Sequence, residues 1–334
     1  MRIVVTGSAG HLGEALVRVL RGAGHEVVGL DLLPSPHTEA VGSIAERPFV
    51  QRWVDGADAV VHAATLHKPH VGSHTRQAFV DTNVTGTLNL LEAAVAAGVG
   101  RFLHTSTTSA FGRALTPPPG APAAWIDEDV PHVVRNVYGA TKTAAEDLCE
   151  LVHRDHGLPV AILRTSRFFP EPDDRDDVRA VYTDDNLKVN ELLYRRCDVE
   201  DVASAHLAAL ERVPALGFGR WVVTATTPFT RADLAELRAD APAVVRRLFP
   251  GYEEIYAARG WTMLPSIERV YVNERARTEL GWSPRYDFGH ALDLLRAGEE
   301  PRSALARSVG AKGYHAVSTG VYTVRDQPSP RVSS

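Results

Sequence analysis

The chain begins with MRIVVTGSAGHLG (residues 1–13), in which a run of β-branched residues turns directly into three regularly spaced glycines. The run predicts a buried strand, and the glycines predict a tight turn into a helix. Gly7 permits the turn, Gly10 lets the backbone approach a diphosphate closely, and Gly13 lets the helix pack against the strand. The helix N-terminus would then face the negative charge. This stretch therefore predicts a dinucleotide-binding unit in an α/β fold.

A second cofactor signal is Asp31, which ends the second predicted strand 18 residues past Gly13. A carboxylate at this place accepts hydrogen bonds from both hydroxyls of an adenosine ribose, and it repels a 2′-phosphate. No Arg or Lys occurs at 32–34, so the sequence predicts NAD and not NADP. The alternative is a solvated loop aspartate without a ligand.

Composition and charge limit the classes of protein to consider. The chain has 334 residues, 44% of them hydrophobic, and a net charge of −5, which is typical of a soluble globular protein. The lack of a basic excess argues against nucleic-acid and membrane partners. Its apolar runs are too short for a membrane span or a signal peptide. Two cysteines make neither a disulfide framework nor a metal cluster, so we expect a cytoplasmic protein.

The order of predicted elements indicates a Rossmann fold, a doubly wound parallel sheet with a smaller C-terminal substrate-binding region. Strands are predicted at 3–6, 26–30, 59–63, 101–105 and 160–164, with amphipathic helices between them. Residues 168–188 are rich in Pro and Asp and predict a loop or lid. We divide the chain into an NAD-binding domain, a substrate-binding region with segments that return to the main sheet, and a loose C-terminal tail, at 1–165, 166–298 and 299–334.

Tyr138 and Lys142 lie four residues apart on a predicted helix, so they share one helical face. An ammonium beside a phenol favours the phenolate and lowers its pKa from about 10 toward neutrality. Such a phenol can take a proton from a substrate alcohol or return one to a ketone. Tyr and Lys at this spacing also occur on ordinary helix surfaces. The glycine loop at the start of the chain is what supports a catalytic role for the pair.

Together these motifs resemble the extended short-chain dehydrogenase/reductase family, in its NAD-dependent epimerase/dehydratase branch. The resemblance covers residues 1–290. It rests on the runs TGSAGHLG at 6–13, DAVVHAA at 58–64, NVTGTLNLLEAA at 83–94, TST at 105–107, FG at 111–112, YGATK at 138–142, DVEDVA at 198–203 and ELGWSP at 279–284.

The resemblance assigns roles to individual residues. It implies that Tyr138 is the acid/base, that Lys142 binds the nicotinamide ribose and lowers the phenol's pKa, and that Thr107 hydrogen-bonds the reacting oxygen. Asn83 would hold the cofactor or the local backbone, and Asp58 would lie near the adenine unless its role is structural. The full set of expected cofactor contacts is Gly7, Gly10, His11, Leu12, Gly13, Asp31, Ala63, Ala64, Asn83 and Lys142.

Departures from the family pattern bear on the reaction and the substrate. The family's dehydratases place Asp-Glu directly after the catalytic Thr, where the acid expels water. Here Thr108 and Ser109 follow, so the sequence disfavours dehydration. Arg167 replaces an Asn that often contacts a nucleotide diphosphate, and the segment from there to Asp201 is short for a nucleotide-sugar epimerase. The run FPEP after Arg167 resembles uronate dehydrogenases of the same superfamily, where a nearby Arg holds a sugar carboxylate.

Substrate contacts are expected in a histidine-rich segment, LHKPHVGSH at 66–74, and around Arg167. Pro69 and the missing carboxylate or Cys ligands argue against a metal site, so we predict none. The alternatives for this segment are a solvated loop and a site for an anionic or polyhydroxylated substrate. Arg167 follows a strand's carboxyl end, where open α/β sheets bind ligands, and its planar fork suits a carboxylate or phosphate. The residues expected to bind substrate are His67, Lys68, Thr108 and Arg167.

These observations predict an NAD-dependent enzyme of carbohydrate metabolism that acts on a secondary alcohol of a sugar through a transient or released ketone. The first hypothesis is a nucleotide-sugar epimerase, and the second is a uronate-like or other sugar dehydrogenase or reductase. A third, from another class, is a non-catalytic NAD-binding protein, which would not need intact Thr107, Tyr138 and Lys142. The resemblance also implies a homodimer through the helices at 84–97 and 140–156.

Overall fold

The computed structural model describes residues 1–173 and 175–312. In these ranges the strands, β1 to β9, are Arg2–Thr6, Glu26–Asp31, Ala40–Val41, Ala59–His62, Arg101–Thr107, Ala124–Ile126, Val160–Thr165, Phe218–Val223 and Arg269–Tyr271. The helices, α1 to α14, are His11–Gly22, Arg47–Val54, Arg76–Phe79, Gly86–Ala96, Val137–His156, Asp176–Val181, Asp184–Leu192, Val199–Leu216, Leu234–Ala239, Ala241–Leu248, Tyr252–Ala257, Glu274–Leu280, Phe288–Arg296 and Ala304–Val309.

Seven strands form one parallel sheet, in the order β3-β2-β1-β4-β5-β7-β8, while β6 and β9 pair separately. The chain winds outward in both directions from β1, so the strand order reverses between β1 and β4. Open α/β sheets bind ligands at such a reversal, in the crevice at the carboxyl ends of the strands. The predicted Rossmann fold is confirmed, and β8 returns to the sheet from the C-terminal half.

Helices cover both faces of the sheet. On one face Val5 and Val61 pack with α1 and α8, and on the other Val4 and Val60 pack with α2, α4 and α5. Successive side chains of a strand point to opposite faces, so a strand covered on both sides must be apolar throughout. This explains why the strands read as continuous β-branched runs and not as alternating patterns.

The C-terminal half has a second core, in which α7, α10, α11 and α13 pack around Leu193 and Phe288. The predicted loop or lid at 168–188 is wrong in its second part, because α6 and the start of α7 lie there. Acidic residues in a first turn favour a helix N-terminus, and Asp184 and Asp185 occupy that place in α7. In residues 168–188 the high Asp content therefore indicates the starts of helices and not a loop.

The expected loose tail differs from the structure over residues 299–312. This segment contains α14, which packs against α1 and α8. Ser303 Oγ donates to Asp198 at 2.6 Å, and Lys312 pairs with Glu14 in α1. The remainder of the predicted tail, 313–334, lies outside the described residues.

Both cysteines, Cys149 and Cys197, are free and buried among apolar side chains. They serve as packing residues on the two faces of the sheet. Within the described ranges, no helix combines the length and the apolar character that crossing a membrane requires.

Candidate active site

The glycine loop joins β1 to α1 at the carboxyl edge of the sheet. Gly7 has a φ of +78°, and a Cβ there would lie 2.7 Å from Ala64 N. A Cβ on Gly13 would lie 1.8 Å from the carbonyl oxygen of Gly7, so neither position accepts a side chain. Gly10 precedes α1 without a side-chain cap, which leaves the first N–H groups, at His11 and Leu12, facing the cleft for an anion.

The adenosine side of the cleft is formed where β2 and β4 end. Asp31 Oδ2 accepts from Ala9 N and Oδ1 accepts from Leu33 N, each at 2.9 Å, which fixes the carboxylate beside the glycine loop. Ala63 and Ala64 follow β4, and both are half-buried. A backbone cradle without side chains, an uncapped helix start and a carboxylate beside them are what a bound NAD requires.

The predicted catalytic residues meet at the carboxyl end of β5. Thr107 ends this strand, and the Tyr138 hydroxyl, in the first turn of α5, is hydrogen-bonded to it. Asn136 caps α5 by accepting from Gly139 N at 2.9 Å, which fixes the helix start that carries the phenol. Burial raises the pKa of Tyr138 to about 12, against the effect of its bond to Thr107. Thr108, a predicted substrate contact, follows as a buried residue.

Lys142 does not tune the phenol as the sequence predicts. Its Nζ donates to His104 Nε2 at 3.0 Å and to the carbonyl oxygen of Thr105 at 2.8 Å. Burial lowers the pKa of Lys142 to about 8, with Glu146 acting in the opposite direction. The expected low phenol pKa is wrong for the chain without cofactor, because the ammonium is bound to β5 and burial of Tyr138 dominates.

Asn83 and Asp58 have structural contacts. Asn83 Oδ1 accepts from Leu66 N, and its Nδ2 donates to Leu66 O, both at 2.8 Å, and also to Thr141. Of the two roles expected for Asn83, these contacts support holding the backbone. Asp58 precedes β4 and accepts from Arg2 N at 2.6 Å. The expectation that Asp58 lies near the adenine is wrong, since the amino ends of parallel strands lie at the edge opposite the cleft.

The histidine-rich segment folds as a 3₁₀ turn over Lys68–Gly72. His70 Nδ1 accepts from His67 N at 3.0 Å, and the ring of His70 makes edge contacts with those of His67 and His74. In the described part of the chain, no group of three or more His, Cys, Asp or Glu is placed to hold a metal ion. Substrate contacts by His67 and Lys68 stay a prediction.

Arg167 belongs to an ion-pair cluster beyond β7. Its Nη1 donates to Asp173 at 2.8 Å and to Glu191 at 3.0 Å. Glu191 is fully buried and also accepts from Arg195 at 2.7 Å and from Arg196 at 2.8 Å. Burial raises the pKa of Glu191, but the three guanidinium groups outweigh it and hold the pKa well below its usual range. The guanidinium of Arg167 is therefore shared with protein carboxylates, which sequence reasoning did not foresee.

A cavity opens beside the glycine loop, between the start of α1, α7 and the residues before α8. The His11 ring stacks on Phe168 at 6.1 Å, and His11 Nδ1 donates to the carbonyl oxygen of Gly310 at 2.9 Å. Lys188, Arg196 and Arg302 line this cavity together with Asp185 and Asp198, so charged side chains of both signs lie beside the start of α1.

Buried polar residues behind the catalytic pair were missed. His104 contacts Lys142 directly, and Glu146 accepts from Ser106 and from Arg164, the latter at 2.8 Å. A signal for Glu146 existed, because it lies four residues after Lys142 on the same helical face. His104 had a weaker signal, as a polar residue inside the apolar run of β5.

Comparisons with known proteins agree with this geometry. The sequence profile of the NAD dependent epimerase/dehydratase family matches residues 3–223. A dTDP-glucose 4,6-dehydratase of Streptomyces antibioticus is 30% identical over 332 residues, covering 87% of this chain and 90% of its own length. A UDP-glucose 4-epimerase of Rhizobium meliloti is 27% identical, covering 86% and 93%. The crystal structure of a short-chain dehydrogenase/reductase superfamily protein from Agrobacterium tumefaciens with bound NAD is 25% identical, covers 89% and 98%, and has a TM-score of 0.64.

Proposed function

The chain belongs to the NAD-dependent epimerase/dehydratase family, and on that premise we propose that it is an NAD-dependent epimerase of a nucleotide sugar. The observation that carries the proposal is the meeting of Thr107 and Tyr138, with Lys142 one helical turn away, at the strand edge that holds the glycine loop. A non-catalytic NAD-binding protein would not need these three side chains together. Relatives of this chain include a UDP-glucose 4-epimerase, which supports the substrate class.

In the proposed reaction Tyr138 Oη takes the proton of a substrate hydroxyl and later gives it back to the ketone. NAD, when bound, supplies the acceptor for the hydride on the same carbon and the donor that returns it. The Thr107 hydroxyl hydrogen-bonds the reacting oxygen. Burial raises the pKa of Tyr138 to about 12 in the chain alone, and a positive charge beside the phenol in the complex would lower it. The Lys142 ammonium, one turn further along α5, is bound to β5 in the chain alone and does not lower the phenol's pKa there.

The residues after Thr107 support epimerisation over dehydration, although one relative is named a dehydratase. Elimination of water needs a group that protonates the leaving hydroxyl. Thr108 is buried and Ser109 is half-buried, and a hydroxyl side chain at either position is far too weak an acid for this task. The transient ketone is therefore expected to be reduced again or to leave the site.

The guanidinium groups of the substrate half suit an anionic substrate. Among the described residues, the cluster joins Arg167, Arg195 and Arg196 to the carboxylates of Glu191 and Asp173. We propose that Arg167, with His67, Lys68 and Thr108, contacts the substrate. If the protein is an epimerase of a nucleotide sugar, the anionic group that these residues contact is the diphosphate.

A second function, a uronate-like sugar dehydrogenase, is favoured by where the cluster lies. Arg167 follows β7 two residues past Thr165, which pairs with Thr107 across the sheet. Two extended residues span about 7 Å and neighbouring strands lie about 4.8 Å apart, so the Arg167 backbone lies roughly 8–9 Å from that of Thr107. A carboxylate on a sugar bound at Thr107 would then lie within reach of the Arg167 side chain.

The test incubates the protein with NAD and a panel of nucleotide sugars, free sugars and uronates, and follows NADH absorbance and product identity. The epimerase predicts an epimeric product without net NADH. Formation of one NADH for each product molecule would show a dehydrogenase and refute the epimerase. Binding of NAD without turnover of any compound would leave a non-catalytic NAD-binding protein and overturn the proposal. Tyr138→Phe in the same panel is the matched control for contaminating activity.

Two further expectations belong to this proposal. A homodimer through α4 and α5 is expected from the family, and a cytoplasmic location is expected from composition. Sedimentation of the protein measures the first. A charged residue introduced on α4 should shift the protein toward the monomer if α4 lies in the interface.

A further inference from the structure

The Lys142 ammonium is held by two acceptors on β5, His104 Nε2 at 3.0 Å and Thr105 O at 2.8 Å. An ammonium has three N–H donors. Two are therefore used by β5, and the described residues give the third no acceptor. The direction of this remaining donor depends on the two acceptors that fix the other two.

His104 is committed to one tautomer by this contact. Because its Nε2 accepts from Lys142, the ring proton of the neutral imidazole must lie on Nδ1. That Nδ1 is buried and has no hydrogen-bond partner among the described residues. Native proteins rarely leave a buried donor unsatisfied, so each such donor requires an explanation. Here Nδ1–H lacks a partner because the same ring must present Nε2 as the acceptor for Lys142.

The surroundings keep His104 neutral and in place. The ring is fully buried, and its pKa is lowered well below 6.5 by burial and by the Lys142 charge. The ring of His62 lies 5.2 Å away and is bound to Thr6 and Thr87 through its two nitrogens, at 2.8 and 3.0 Å. His62 therefore supports the His104 ring from the side and does not compete for Lys142.

Other titratable groups around Lys142 are already committed. Glu146 is bound by Ser106 and Arg164, and burial raises the pKa of the Cys149 thiol, which keeps it neutral. Tyr138 is a neutral phenol in the chain alone. This leaves the imidazole of His104 as the side chain that receives the ammonium directly.

We propose that His104 is a positioning residue, a neutral imidazole that holds the Lys142 ammonium on β5, keeps it charged and directs its remaining N–H to the cofactor cleft. The inference rests on the proposed function in one respect, that the ammonium meets the ribose of NAD. In the absence of cofactor the contact exists independently of any sugar substrate.

The first test is nitrogen NMR of the ¹⁵N-histidine-labelled protein without cofactor, with His104 assigned from the spectrum of the His104→Gln variant. The proposal predicts an Nδ1–H tautomer that does not titrate between pH 5 and 8. An Nε2–H tautomer, or a His104 that becomes protonated in this range, would overturn it. The tautomer and its titration are read on the unaltered chain, and the His104→Gln spectrum serves only to assign the signal.

The second test compares His104→Leu, which has no acceptor, with His104→Gln, whose amide oxygen restores one, by calorimetric titration of NAD between pH 6.5 and 9.5. His104→Leu is expected to weaken NAD binding about tenfold at pH 7, equal to ~1.4 kcal/mol. The pH at which binding begins to weaken, set by a Lys142 pKa of about 8, should fall by about one unit. His104→Gln should keep the profile of the unaltered protein.

A purely structural role for His104 gives a different result. It would lower the unfolding midpoint of His104→Leu but leave the pH profile of NAD binding unchanged, and that outcome would refute the positioning role. If no sugar in the activity panel is turned over, the proposed function is refuted, but the results of the NMR experiment and of the NAD titration do not change. The two proposals therefore fail separately.

Discussion

Replacement of Gly13 by Ala tests the cofactor cradle through one methyl group. The added Cβ would lie 1.8 Å from Gly7 O and 2.9 Å from Ser8 Cα. Ordinary contact with the oxygen requires a shift of about 1.5 Å in backbone atoms, which a packed core does not absorb freely. We expect a loss of about 2 kcal/mol in the free energy of unfolding, in the range found for overpacked sites. NAD binding should weaken about 100-fold, equal to ~2.7 kcal/mol, because the diphosphate cradle itself must move.

The matched control is Gly22→Ala at the other end of the same helix, where an added Cβ meets nothing within 4 Å. This variant should gain a few tenths of a kcal/mol from helix propensity, and NAD binding should not change. Urea unfolding and calorimetric titration of NAD measure both quantities. A Gly13→Ala protein that is folded and binds NAD within about threefold of the unaltered protein would refute the steric reasoning.

Three further outcomes are expected. Asp31→Asn removes the charge that repels a 2′-phosphate, so the preference for NAD over NADP should fall about tenfold in titrations, and an unchanged ratio of dissociation constants would contradict this role. Glu191→Gln leaves three guanidinium groups without their buried carboxylate and should cost about 3 kcal/mol in urea unfolding, whereas Glu253→Gln, in an exposed pair with Arg246, should leave the midpoint unchanged. Burial lowers the pKa of His206 to about 4, so its stabilisation is complete above pH 6.5 and is lost as pH falls toward 4. About 2 kcal/mol should disappear by pH 5, and His206→Gln should lack this part of the pH dependence of unfolding.

The parts of the fold and site that the sequence predicts are those fixed by local sterics. Gly7 and Gly13 are required by close backbone approach within one βα unit, so their spacing alone reveals the cradle. The strands are covered on both faces, and their continuous β-branched runs reveal a parallel sheet. Asp31 lies beside the glycine loop because the length of β2 fixes its distance from that loop.

The parts that the sequence did not predict depend on pairings between distant segments. The position of the Lys142 ammonium is decided by His104 on β5, 38 residues away, and not by Tyr138 on the same helix. The partners of Arg167 come from a different helix and a loop, so its availability to substrate could not be judged from its place after β7. Burial then reverses the expected direction of the phenol's pKa shift, and burial is a property of the whole fold.

The central claim is that the Tyr138 hydroxyl carries the proton of the reaction, and turnover of Tyr138→Phe with the substrate found in the panel tests it most directly. The variant keeps the ring that fills the site and loses only the hydroxyl. If Tyr138 carries the proton, turnover falls by about 100-fold or more, while the dissociation constant of NAD stays within about threefold of the unaltered protein. Turnover by Tyr138→Phe within about tenfold of the unaltered protein, with NAD bound, would contradict it.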